Sequence, residues 1–393
     1  MYPTQLHSYL LWRSSVEPNS QALASRRYTA SVSLLPASMV GIFVFGWWAG
    51  WIVFLSILAA FFTDFICHRF IYAESPGTRD GSWLLTGLLL GLMMPPNVPW
   101  WLPVCGAVIA IFIGKHYLSV DGMPLLQPAA VGLLIMHLLT WNYMKAMDGG
   151  IPQWPVLSRG VETSMEDVRN GRFSKPLRDY FGGDVRKSVS HSQWSEKIFA
   201  GEIAFYDHDR KILAEAWHEP RPLDKVKHDP SHSYSSNPRQ SERDQYEWLN
   251  MVLGYVPATI GGSSGLALGF GILLLIFSGA VSWVIPAFAM GTLYFGMQLL
   301  AWMYGSSNGA QIISENIPIH LMTGSTLIAI FYLAADPSSA PRSFRGKMYA
   351  GMAMGIFELI LRLFTPLAEG LFISIILAQS LSFYIDRWTA IKN

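Results

Sequence analysis

A charged side chain inside an apolar stretch costs roughly several kcal/mol unless it has a partner or a task, so the ionisable residues in the hydrophobic runs of this chain are where chemistry is sought first. They are few: Asp64, Lys115, His116, His137, Glu358 and Arg362 lie in or at the ends of apolar runs. Glu358 and Arg362 are four residues apart, a spacing that puts both on one helical face. There they form either a structural ion pair or a charge-compensating pair for a moving cation or an anionic cofactor. Asp80 stands just before an apolar run and Asp336 just after another, each beside a turn. Capping and turn formation account for both, and so does an oxygen site for Na⁺ or a relay for H⁺, with Thr86 and Thr323 supplying hydroxyls. The run Gly261-Gly262-Ser263-Ser264-Gly265 opens an apolar segment; it suits either a phosphate held on backbone N–H groups or a close-packed helix entry. His137 reads as a hydrogen-bonded packing residue. His218, His228 and His232 read as a solvated histidine-rich loop because Pro230 breaks any helix there, so no sequence spacing marks a metal site.

Elements of a particular kind must hold these residues. Of 393 residues, 51% are hydrophobic and 14% charged, proportions that point to a membrane rather than to water. A net charge of +1 provides no global field for nucleic acid. The two cysteines, Cys67 and Cys105, sit in apolar runs and match neither a CxxCH haem attachment nor an iron–sulfur spacing, so a redox centre in this chain must be organic or held by other ligands. Apolar segments suited to membrane helices fall at 30–48, 50–71, 82–95, 99–117 and 126–146, and again at 262–279, 281–304, 317–335, 346–364 and 367–386. With residues 1–28 retained on the inside, the inner loops carry Arg69, Arg79, Arg342, Arg345, Lys347, Arg387 and Lys392, whereas the short outer loops carry no Lys or Arg. The same parity places residues 147–245 outside, with more than half of the charges and five of the ten histidines. Trp154, Trp194, Phe199 and Trp217 predict partial folding or docking there, and 218–243 reads as disordered.

The two sets share a feature. Leu85-Thr86-Gly87 runs into Pro95-Pro96, and Met322-Thr323-Gly324 runs into Asp336-Pro337. Five helices per set is odd, so the second set enters from the opposite side, which predicts an all-α protein of two inverted repeats. Proline-broken segments at matching positions are either ordinary kinks or freed backbone lining an ion path.

Residues 79–131 contain Asp80-Gly81-Ser82, Thr86-Gly87-Leu88-Leu89-Leu90, Pro95-Pro96, Pro99-Trp100-Trp101, Gly114-Lys115-His116 and Gln127-Pro128-Ala129. The second half adds His320-Leu321-Met322-Thr323-Gly324, Ala335-Asp336-Pro337, Arg345-Gly346, Arg362-Leu363-Phe364, Glu369-Gly370 and Asp386-Arg387-Trp388-Thr389. These stretches resemble the NqrB/RnfD family of redox-driven ion pumps. The resemblance implies a ten-helix subunit of a multisubunit complex in a bacterial cytoplasmic membrane, coupling electron flow to Na⁺ or H⁺ movement with FMN or riboflavin bound here. Carried onto this chain, it implies an ion path along Asp80, Thr86, Thr323, Asp336, Glu358, Arg362 and Glu369, and cofactor contacts from Lys115, His116, Gly261, Gly262, Ser263 and Ser264.

The chain departs from that pattern. It has no Ser-Gly-Ala-Thr to esterify FMN, so the expected flavin is non-covalent; Gln127 and Gly262 replace an asparagine and a glutamate. The resulting expectation is a cytoplasmic segment 1–28, a first repeat 29–146, an outer insert 147–245 and a second repeat 246–393, in a subunit that meets other membrane and extracytoplasmic subunits. The other reading is a flavin-free scaffold or ion-channel subunit whose neighbours carry the electrons. A solute transporter unrelated to redox explains the repeat but not the motifs.

Overall fold

The computed structural model describes residues 20–71, 80–96, 98–120, 123–139, 258–304, 325–341, 343–364 and 370–390. The expected insert 147–245, Thr323 and Glu369 lie outside the described residues. What is described is helical. In chain order the helices are α1 (Ser20–Ser33), α2 (Leu35–Phe45), α3 (Trp47–Ile66), α4 (Ser82–Met93), α5 (Trp101–Ile109), α6 (Pro128–Leu139), α7 (Gly265–Phe277), α8 (Val284–Tyr304), α9 (Ser325–Ile328), α10 (Phe344–Phe364) and α11 (Leu371–Ala390). A two-residue hairpin pairs β1 (Ser119–Val120) with β2 (Met123–Pro124). Among the described residues, two stretches, Gln21–Phe45 and Trp47–Phe70, are long and apolar enough to cross a membrane.

Helix α1 starts at Ser20, ten residues before the apolar run at 30 marked in the sequence, so Arg27 lies on a helix rather than in a free segment. Helix α4 stops at Met93, where Pro95 and Pro96 cannot continue the ladder. Three helices end in wide π turns: Cys67–Ile71 after α3, Ala110–Tyr117 after α5 and Ala329–Leu333 after α9. The N–H of Leu118 reaches the carbonyl of Ile113, and that of Ala334 reaches Ala329, both five residues back and both 2.8 Å.

Small residues let backbones approach. Gly87 and Gly91 of α4 face α3, where a Cβ added at Gly87 would come 2.7 Å from Ile57 Cα and one at Gly91 2.9 Å from Val53 Cα. Ser56 Oγ donates to the Gly87 carbonyl at 2.8 Å, a hydrogen bond between helices of the kind found where water is excluded. The halves pack through α7 against α1 and α2 and through α11 against α6, around a core that includes Leu89, Leu92, Ile260, Ile328 and Ile375. Large apolar side chains such as Trp47, Phe54, Phe62, Phe270, Leu273 and Phe295 are exposed on the outer surface. Such an apolar exterior suits lipid better than water.

Candidate functional site

Between α3 and the end of α5 the structure pairs two buried charges, Asp64 and Lys115. Asp64, near the end of α3, has no exposure, and its Oδ1 lies 2.7 Å from Lys115 Nζ and 3.0 Å from His116 Nε2. Consecutive residues of an α-helix point about 100° apart and do not readily meet one atom. Lys115 and His116 sit on the π turn after α5, whose wider coil narrows that angle and lets both reach the same carboxylate oxygen. His68, one turn along from Asp64, adds its Nε2 at 3.8 Å from Oδ1.

Lys115 Nζ has a second anionic partner, Asp80 Oδ2, at 3.0 Å, and Arg27 from α1 approaches the same oxygen at 3.3 Å. Asp80 also builds the entry to α4. Its Oδ1 accepts the Ser82 N–H at 3.0 Å, while Gly81 between them takes φ 67°, a left-handed conformation that favours glycine. Burial pushes the Asp80 carboxyl up, but Lys115, Arg27 and the hydrogen bonds from Lys115 and Ser82 outweigh it and hold the group below the ordinary carboxylate value.

A turn of the same type comes from the other half. Asp336 Oδ1 accepts the Ser338 N–H at 3.2 Å and its Oδ2 accepts the Ser338 hydroxyl at 2.9 Å. The two Asp-x-Ser turns line one narrow cavity together with the Thr86 hydroxyl. Arg27, Lys115 and Gln127 complete its polar wall. The cavity is small, with room for about one ordered water. Among the described residues, Asp64, Asp80 and Asp336 face Arg27 and Lys115, so with neutral histidines the formal charge of the group is −1.

Beside the cavity, Gln379 of α11 ties the halves together. Its Oε1 accepts the Gln127 N–H at 2.8 Å, and its Nε2 donates to Ser339 Oγ at 2.9 Å. This bond uses the backbone N–H of Gln127, so it does not depend on glutamine standing where the resemblance expects asparagine.

The remaining expected site residues are elsewhere. The N–H groups of Ile260 and Gly261 donate to the carbonyls of Met94 and Leu92 at 3.1 and 2.7 Å, and that of Gly262 donates to Thr259. A Cβ on Gly261 would lie 2.7 Å from Leu92 Cβ. Ser263 is buried, and Ser264 caps α7 by accepting the Ala267 N–H at 3.3 Å. The loop is therefore packed onto the broken end of α4, and these residues do not fit a flavin phosphate cradle. Glu358 is buried on α10, away from the cavity lining; the Arg362 side chain lies outside the described residues. His137 Nδ1 donates to the Leu133 carbonyl at 2.8 Å, and its ring packs against Phe372, as a packing residue would.

The sequence marked Asp64, Asp80, Thr86, Lys115, His116 and Asp336 without showing that they share one site. It missed Arg27 and His68. The signal for His68 was present, since Asp64 and His68 are four apart on one helix, whereas the Arg27 partnership spans 53 residues and leaves no local pattern.

Comparison with known proteins identifies the family of the chain. The family model described as "NQR2, RnfD, RnfE family" matches residues 15–393. The chain is similar to a subunit of the proton-translocating ferredoxin:NAD(+) oxidoreductase complex of Clostridium ljungdahlii, at 25% identity over 94% of this chain and 91% of that protein. It is also similar to a subunit of the Na(+)-translocating ferredoxin:NAD(+) oxidoreductase complex of Acetobacterium woodii, at 26% identity over 93% and 89%. A match that runs from residue 15 to the last residue takes in both Asp-x-Ser turns and the Gly-Lys-His stretch, and on that match the chain belongs to the NQR2, RnfD, RnfE family.

Proposed function

We propose that the chain is a membrane subunit of an ion-translocating ferredoxin:NAD⁺ oxidoreductase complex, in which the cavity between Asp80 and Asp336 is a station for the transported cation. The observation that carries this reading is the net negative group of Asp64, Asp80 and Asp336 against Arg27 and Lys115, with two carboxylates from turns of opposite halves on one small cavity. Carboxylate, hydroxyl and carbonyl oxygens are the ligands that hard cations and hydronium take. Relatives named for protons and for sodium ions align over the same length, so the reading covers both ions.

The protein would cross a bacterial cytoplasmic membrane ten times as two inverted five-helix sets, with both termini inside and 147–245 outside, joined to other membrane and extracytoplasmic subunits. Support for this comes from the segregation of Lys and Arg along the sequence and from the apolar exterior. Inverted membrane vesicles containing the complex test the station: Asp80→Asn or Asp336→Asn should abolish cation uptake driven by reduced ferredoxin with NAD⁺ as acceptor, and unchanged uptake in both variants would overturn it. Single cysteines in 147–245 should react with an impermeant maleimide from outside.

FMN or riboflavin held non-covalently is the cofactor the resemblance implies. The spent amides of Ile260, Gly261 and Gly262 favour the second reading, a flavin-free ion-channel or scaffold subunit beside electron-carrying neighbours. Acid extraction of the purified chain decides: released flavin supports the first, and its absence together with donor-independent ion flux in liposomes supports the second.

A further inference from the structure

We propose that Asp64, His68 and His116 form a binding site for a divalent first-row transition metal, with Zn²⁺ the best fit. No spacing in the sequence announces such a site, because His116 meets the other two only in three dimensions. Asp64 and His68 are one turn apart at the end of α3, so they share a face, and the π turn after α5 delivers His116 to it. One ligand atom from each residue falls within a set whose members all lie within 4.8 Å of one another. The histidine Nε2 atoms lie 3.0 and 3.8 Å from Asp64 Oδ1. Ligand atoms around tetrahedral zinc stand about 3.3 Å apart, given bonds of about 2.0–2.1 Å, so shifts on the order of an ångström close the site. The two imidazole rings are edge to face with centroids 5.2 Å apart, close enough to serve one ion between them.

A second observation points to a missing ligand. Asp64 Oδ2 is fully buried and accepts no hydrogen bond among the described residues. A carboxylate oxygen left in that condition loses its hydration without compensation, and a metal ion supplies what is missing. Two imidazoles and one carboxylate suit zinc and its neighbours, whereas Na⁺ and Mg²⁺ prefer oxygen alone, which separates this site from the cavity at Asp80 and Asp336. Three protein ligands leave a fourth position for water.

Lys115 decides how the site behaves. Its ammonium occupies Asp64 Oδ1 at 2.7 Å and competes with a metal, but Asp80 Oδ2 at 3.0 Å receives it when it leaves. Metal binding therefore leaves Lys115 paired with Asp80 alone.

The test uses the full-length chain, purified without a histidine tag together with any subunits that accompany it and stripped with EDTA. Zn²⁺ is titrated against a chromogenic chelator. The expected result is one equivalent per chain above that bound by the His68→Gln/His116→Gln double variant, with each single change weakening affinity by about tenfold or more, since even loss of a residue supporting a ligand costs about 10–100-fold. Lys115→Met should tighten binding, which a purely structural lysine would not do. Co²⁺ added to the wild-type protein should give visible ligand-field bands of a low-coordinate imidazole site, a readout independent of any variant. A wild-type chain that binds no Zn²⁺ in competition with the chelator overturns the proposal, as does equal binding by the wild type and the double variant.

Discussion

Lys115 holds its ammonium 2.7 Å from Asp64 Oδ1, an ion pair between residues 51 apart, with Asp64 wholly out of reach of solvent. Removing only the cation leaves a buried carboxylate poorly compensated, a change that costs about 3–5 kcal/mol where it has been measured. Lys115→Met should lower the unfolding temperature of the detergent-solubilised protein sharply, and Asp64→Asn added to it should recover most of the loss. A double variant no more stable than Lys115→Met would show that the pair is not what holds these helices.

Acid should act through Asp80. Its folded value is depressed by Lys115 and Arg27, so its contribution to stability is present above the unfolded value of about 4 and disappears as pH falls through the depressed folded value. Thermal unfolding of wild type and Asp80→Asn should therefore differ at pH 7 and converge below about pH 4. A difference that persists unchanged into acid would remove Asp80 from the ion pair.

The contact between α3 and α4 depends on the absence of a side chain at Gly87, where even a methyl would come 2.7 Å from Ile57 Cα. Gly87→Val forces the helices apart and should cost about 1–3 kcal/mol or more, read as reduced accumulation and a lower melting temperature. Gly269, where an added Cβ meets nothing within 4 Å, is the control and should tolerate alanine.

Gln379 satisfies the Gln127 N–H at the start of α6 from the opposite half of the chain. Gln379→Leu strands a buried donor and should destabilise by about 1–3 kcal/mol, whereas Gln379→Glu keeps the acceptor and should retain more stability at neutral pH. Equal melting temperatures for the two variants would argue against this bond.

Much of the helical framework is legible in the sequence because it rests on local physics. Pro95-Pro96 ends α4 by removing donors, and Asp80-Gly81-Ser82 and Asp336-Pro337-Ser338 are turn signals whose bonds stay within three residues. The site was legible only as scattered parts. Arg27 with Asp80 and Gln127 with Gln379 are separated by 53 and 252 residues, and a single sequence holds no local trace of such pairings. By residue type the segment from Gly261 to Ser264 suits a phosphate loop and a close-packed helix entry alike, and the amides of Ile260 and Gly261, bonded to Met94 and Leu92, favour the packed entry in a way that composition does not reveal.

The coil over Ala110–Tyr117 is one residue looser than its neighbours, and the residues that grip Asp64 stand on its last stretch. Deleting a single residue such as Ile113 would tighten that coil to ordinary pitch and set Lys115 and His116 about the usual 100° apart around the axis. The ammonium and imidazole could then no longer share one carboxylate oxygen, so the charged junction is set by one surplus peptide unit.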